Sequence, residues 1–83
     1  MKLLSLKKPN CMPYGMVERH LNGKLEGIHT ETYDVSTDEG ISIASLYGAM
    51  SVPLLIAIDR QGIIVERVQG YKPDEIDELL TKF

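Results

Sequence analysis

Cysteine is almost missing from this chain: Cys11 stands alone among 83 residues. A single thiol closes no internal disulfide, so the fold does not depend on an oxidising compartment. Nor can it build a cysteine-based metal site, and His20 and His29 lack a ligand-like spacing. No metal is expected. No apolar run approaches the roughly 20 residues that cross a bilayer. The Leu-rich stretch after Lys2 is shorter than a signal peptide's apolar region and has no small-residue cleavage site. These absences point to a cytoplasmic protein without a membrane partner. An extended basic and aromatic surface is also missing, so nucleic-acid binding is not expected. There is no repeat, linker or low-complexity segment, and the length suits a single domain over residues 1–83.

The lone cysteine sits in Pro9-Asn10-Cys11-Met12-Pro13-Tyr14-Gly15, between an apolar stretch and a helical pattern. Pro at a first helical turn is pre-organised and needs no donor. At such a position the first backbone N–H groups and the helix dipole favour a thiolate. The other reading of a lone cysteine is a small buried hydrophobe, which the flanking Pro9, Pro13 and Gly15 argue against. The net charge of −3 hides an asymmetry. Residues 1–24 carry five basic side chains against Glu18 alone, while the rest carries four basic against eleven acidic. Lys7 and Lys8 therefore place positive charge near the thiol, favouring a thiolate and an anionic substrate group. The same two lysines could equally just solubilise a strand end.

Along the chain, Lys2–Leu6 reads as a short strand, and Tyr14–Leu21 as a helix with Met16, Val17 and Leu21 inward, stopped at Asn22-Gly23. Ile28–Val35 is rich in Thr, Tyr and Val and reads as a strand. Ser36-Thr37-Asp38-Glu39 fits a capping box with Ser36 as N-cap. The helix after it carries Ile41, Ala44, Leu46 and Tyr47 and ends at Gly48. Val52–Ile58 is a continuous apolar run, the mark of a central strand covered on both faces. Asp59–Gly62 is a hairpin-type turn into an antiparallel Ile63–Val68. Pro73 opens the last helix, where Ile76, Leu79, Leu80 and Phe83 recur at helical spacing. The order is β-α-β-α-β-β-α. Helices separate the first three strands, which must join by crossovers, giving an α/β sandwich around a four-stranded mixed sheet with helices on both faces.

These pieces together resemble the thioredoxin-like superfamily, thioredoxins and small glutaredoxins, over nearly the full length. Cys11-Met12-Pro13-Tyr14 lies where that superfamily carries Cys-x-x-Cys, and Pro13 matches the proline of the thioredoxin motif. Tyr47-Gly48 followed by Val52-Pro53 resembles the family's approach to its third strand, and Asp59–Val68 with Gly70 its final hairpin and bordering glycine. The resemblance implies a cis Val52–Pro53 bond, with Val52 offering its backbone to an extended peptide or to glutathione. It also implies a central first strand, the first and last helices on one face, and the middle helix opposite. Tyr14 stands in place of the resolving cysteine, Ser5 roughly in place of a buried acid, and Asn10 in place of a tryptophan. The glutaredoxin Gly-Gly-Asp clamp is not visible.

By this resemblance the chain is expected to be a monothiol thiol-disulfide oxidoreductase with Cys11 as nucleophile. Pro13, Tyr14, Val52, Pro53 and Gly70 would form the substrate site. No bound cofactor is needed, and glutathione enters as a co-substrate alongside protein disulfides. Tyr14 either gives its hydroxyl to the sulfur or lines the groove, or its ring simply packs over the site. The alternative is a non-catalytic binding module that takes a peptide beside Pro53. A monomer is expected, with a Cys11–Cys11 disulfide as the route to a dimer.

Overall fold

The computed structural model describes all residues from Met1 to Phe83. Strand β1 (Lys2–Lys7) leads through helix α1 (Met12–Leu21) to β2 (Thr30–Asp34), then through α2 (Asp38–Leu46) to β3 (Leu54–Ile58). Strand β4 (Ile64–Gln69) and helix α3 (Pro73–Leu80) complete the chain. The sheet order is β2-β1-β3-β4. The apolar strands take the centre and the polar ones the edges. Every residue of β3 is buried, as are Leu3–Leu6 of β1, whereas β2 (Thr-Glu-Thr-Tyr-Asp) is half-exposed and β4 mostly exposed.

Alternation along the strands sorts the core into two layers. Leu3, Leu55, Ala57 and Val68 face Val17 and Leu21 of α1 and Ile76 and Leu79 of α3. Leu4, Leu6, Leu54, Ile56 and Ile58 face the other way, against Ile43, Ala44 and Tyr47 at α2 and its end. Helices α1 and α3 thus share one face and α2 covers the other, as the family resemblance implies.

Of the strands separated by helices, only β1 and β2 are parallel; β3 runs antiparallel to β1. An intervening helix does not by itself set the direction of the next strand. Here residues Tyr47–Pro53 return the chain to the end of the sheet where β1 finishes, so that Leu54 pairs with Leu6. The residues expected to form the site, Cys11, Val52, Pro53 and Gly70, lie at that end. Lys7 is paired with Asp34, Leu54 with Gln69, and the Gly70 amide donates to the Pro53 carbonyl at 2.8 Å. The hairpin turn lies at the opposite end, held by the Asp59 carboxylate, which accepts from the amides of Gln61 and Ile63.

Other details depart from the sequence-based expectation. Helix α1 begins at Met12 rather than Tyr14, because Pro13 is accepted within its first turn. Met16 is 41% exposed, since Val17 and Leu21 alone reach the core from this helix. Phe83 lies beyond α3 and is exposed. The N-cap of α2 is Thr37, not Ser36: the Thr37 hydroxyl accepts from the Gly40 amide at 3.0 Å. Gly40 explains the one-residue difference. A Cβ there would lie 1.8 Å from the Asp34 carbonyl oxygen, so the first turn of α2 rests against the end of β2 only because that residue is glycine.

Candidate functional site

After β1 the chain must turn sharply into α1, and Asn10 makes the turn. Its φ of 57° lies in the left-handed region, which Asn tolerates better than most side chains. Cys11 comes next with extended backbone (φ −98°, ψ 106°) as the N-cap of α1, and its carbonyl accepts the Gly15 amide at 3.1 Å. No side chain caps this terminus and no carboxylate stands in its first turn. By contrast α2 opens with Asp38 and Glu39, and α3 with Asp74 and Glu75. The positive end of the α1 dipole and its first amides are therefore free for whatever lies at Cys11.

Cys11 is a free, partly exposed thiol. It lies in an open cleft of about 610 Å³ with Lys7, Lys8, Asn10, Met12 and Tyr14, bounded by Glu18 and Asp34. The Lys7 ammonium sits 5.8 Å from the centre of the Tyr14 ring, a cation–π arrangement. The Asp34 carboxyl is held below its ordinary range, chiefly because the Ser36 hydroxyl and amide donate to it. It remains an anion and is already engaged.

Tyr14 gives its hydroxyl neither to solvent alone nor to the sulfur. The Ser5 hydroxyl, only 3% exposed, donates to it at 3.5 Å. Tyr14, with Glu18, lines both the Cys11 cleft and a second cleft of about 350 Å³ that reaches Ser5, Thr30 and Thr32. Nothing in the sequence pairs Ser5 with Tyr14. The signal was present only as two substitutions against the family pattern, Tyr14 for a thiol and Ser5 for an acid, which the fold brings into hydrogen-bond contact.

The remaining expected residues divide. The Val52–Pro53 bond is cis, Pro53 is buried, and Gly70 (φ 81°) is hydrogen-bonded to it at the same end of the sheet as Cys11. Val52 does not line the Cys11 cleft. It lines a neighbouring groove of about 300 Å³ with Val35, Ala44, Ala49, Met50 and Ser51, and Lys8 borders both. Pro13 is exposed and lines neither. Met12 and Met50, 82% and 91% exposed, give this end of the molecule an apolar rim that no sequence pattern singles out. No group of His, Cys, Asp and Glu is placed to hold a metal ion, and no helix is long and apolar enough to cross a membrane.

A four-stranded mixed sheet between three helices, with one thiol at the N-cap of the helix after the first strand, describes a thioredoxin-fold protein with a single-cysteine site. No protein-family model matches the chain. It is 41% identical over 82 residues to the SPbeta prophage-derived thioredoxin-like protein YosR of Bacillus subtilis, covering 99% of this chain and 98% of that one. It is 36% identical over 50 residues to a thioredoxin of Listeria innocua, 59% of this chain and 48% of that protein. Among solved structures it resembles oxidised mitochondrial thioredoxin 3 of Saccharomyces cerevisiae with a TM-score of 0.79, at 19% identity, over 98% of this chain and 76% of that one. The chain belongs to the thioredoxin-like proteins.

Proposed function

We propose that this protein carries out thiol–disulfide exchange with one thiol. The observation that supports it best is Cys11 itself: partly exposed, at the N-cap of a helix whose first turn holds no acid, in an open cleft lined by two lysines. The Cys11 thiolate attacks one sulfur of a protein or glutathione disulfide. A new S–S bond forms to Cys11, the old one breaks, and the departing thiolate takes a proton from water. Tyr14 stands where a second thiol would be, so this intermediate cannot resolve internally. An external thiolate, with glutathione as the co-substrate, attacks the mixed disulfide, carries the bound half away as a new disulfide and returns Cys11 as a thiolate. The backbone of Val52, beside cis-Pro53 and Gly70, aligns the substrate segment. Pro13 contributes through the first turn of α1 rather than by lining the cleft. The chemistry suits the cytoplasm, where thiols are kept reduced, and a monomer that dimerises through Cys11 only on oxidation.

Mass spectrometry after treatment with oxidised glutathione tests this reading. The chain should gain one glutathione quickly, keep it on removal of the reagent, and lose it when a thiol is added. If Cys11 reacts no faster than free cysteine at neutral pH, exchange is not its role, and the groove beside Val52 is a peptide-binding surface without turnover.

A further inference from the structure

The Cys11 cleft and the Val52 groove meet at Lys8, which lines both. Lys8 is exposed and forms no ion pair; the bridges in this molecule use Lys2, His20, Lys24, His29 and Lys72. Two carboxylates border the Cys11 cleft. Asp34 is bonded to Ser36. Glu18 stands on the α1 side, where the cleft adjoins the one over Ser5, and is absent from the Val52 groove. Lys7 also lines the Cys11 cleft without an ion pair, over the Tyr14 ring, so two free cations stand at the thiol, and Lys8 is the one that reaches the Val52 groove as well. Beyond Lys8 the groove is lined mainly by aliphatic groups, Val35, Ala44, Ala49, Met50 and Val52.

Building on the exchange reading, we propose that the substrate of this site is an extended peptide segment with an acidic residue beside its cysteine and an aliphatic residue next on the same side. The carboxylate meets Lys8, and the aliphatic side chain enters the groove at Met50 and Val52. Lys8 is then a specificity-determining residue, acting on which disulfide is presented rather than on the bond exchange.

The test uses short fluorescent peptides with serine in place of the reacting cysteine, built as Leu-Xaa-Ser and as Ser-Xaa-Leu, with Xaa as Glu, Gln or Lys. In one of the two orders the Glu peptide should bind wild-type protein about fivefold more tightly than the Lys peptide at low salt, the upper end for one exposed ion pair. The preference should shrink at high salt and reverse in Lys8→Glu. Equal affinities in both orders, no measurable binding by any peptide, or a preference that survives Lys8→Glu would each overturn the proposal. The cysteine forms of the same peptides, as mixed disulfides with glutathione, then report exchange rates. A charge preference in binding without exchange leaves this recognition standing and removes the exchange reading. Exchange without a charge preference removes the recognition alone.

Discussion

At the scale of single residues, the candidate site turns on Cys11, Tyr14 and Ser5. Tyr14 comes three residues after Cys11 at the start of α1, and residues three apart on a helix are neighbours. Tyr14→Cys should therefore form an internal disulfide under mild oxidation, since the two Cα atoms would fall within the roughly 4.4–6.8 Å that such a bond requires. The variant should also release mixed disulfides without an added thiol. Failure to form that bond, read by thiol counting and mass spectrometry, would show that Tyr14 does not occupy the position of a second thiol. A second residue-scale expectation concerns acid stability. The Asp77 carboxyl accepts from His20 at 2.7 Å and lies 3.5 Å from the Lys24 ammonium, joining α3 to α1 and the turn after it. The His20 hydrogen bond, more than any other contact, lowers its pKa. A carboxyl depressed on folding adds stability above its unfolded pKa and loses it as pH falls through the folded value. Wild-type should accordingly exceed Asp77→Asn in thermal midpoint at neutral pH, and the gap should close in strong acid. A gap that does not change with pH would mean the carboxylate is not what joins the helices.

At the scale of elements, α2 shows how a good local signal lands one residue off. Ser36-Thr37-Asp38-Glu39 offers two competent caps, and propensity cannot choose between them. The choice is made by packing: Gly40 has to sit against the Asp34 carbonyl, and that places Thr37, three residues before it, at the cap. Thr37→Ala should cost about 1 kcal/mol in denaturant unfolding, and Ser36→Ala less, since the Ser36 hydroxyl only bonds an exposed carboxylate. The reverse order would put the cap back at Ser36. The same distinction explains what else was legible. The buried run of β3, the Asp59–Gly62 turn and the apolar stripe of α3 are written in consecutive residues or in one helical period, so they can be read from the chain. The exposure of Met16, Ile41 and Leu46, the reversed direction of β3, and the Ser5–Tyr14 contact depend on which distant element arrives at a given face. No local pattern contains that information.

For the whole molecule, stability rests on two thin apolar layers, one on each side of a single sheet. A chain of this size has only about 5–15 kcal/mol of net stability at most. Ile76 is fully buried and brings α3 onto the face shared with α1. Ile76→Ala should cost roughly 2–5 kcal/mol, a large part of the total, and calorimetry should show a fall in Tm of roughly 8–40 °C, at roughly 4–8 °C per kcal/mol for a domain this size. A loss of only a few degrees would mean that α3 docks mainly through its polar contacts with α1. The placement of Cys11, Pro53 and Gly70 was legible from the sequence only through the family pattern. Composition and periodicity identify the strands, but not that three of their connections meet at one end.

That convergence leaves the thiol and the cis-proline at one end of the sheet and the β3–β4 turn at the other. The Asp59–Gly62 turn, a full strand length from the thiol, is closed by its own aspartate and is exposed at Arg60, Gln61 and Gly62. It is therefore the natural point of attachment for a foreign sequence. Doubling the length of a flexible loop costs only about 0.6 kcal/mol in closure entropy. A fluorescent reporter or an affinity handle spliced between Arg60 and Gln61 would ride on the molecule without standing between Cys11 and an incoming disulfide, so captured substrates could be retrieved through the end that does not touch them.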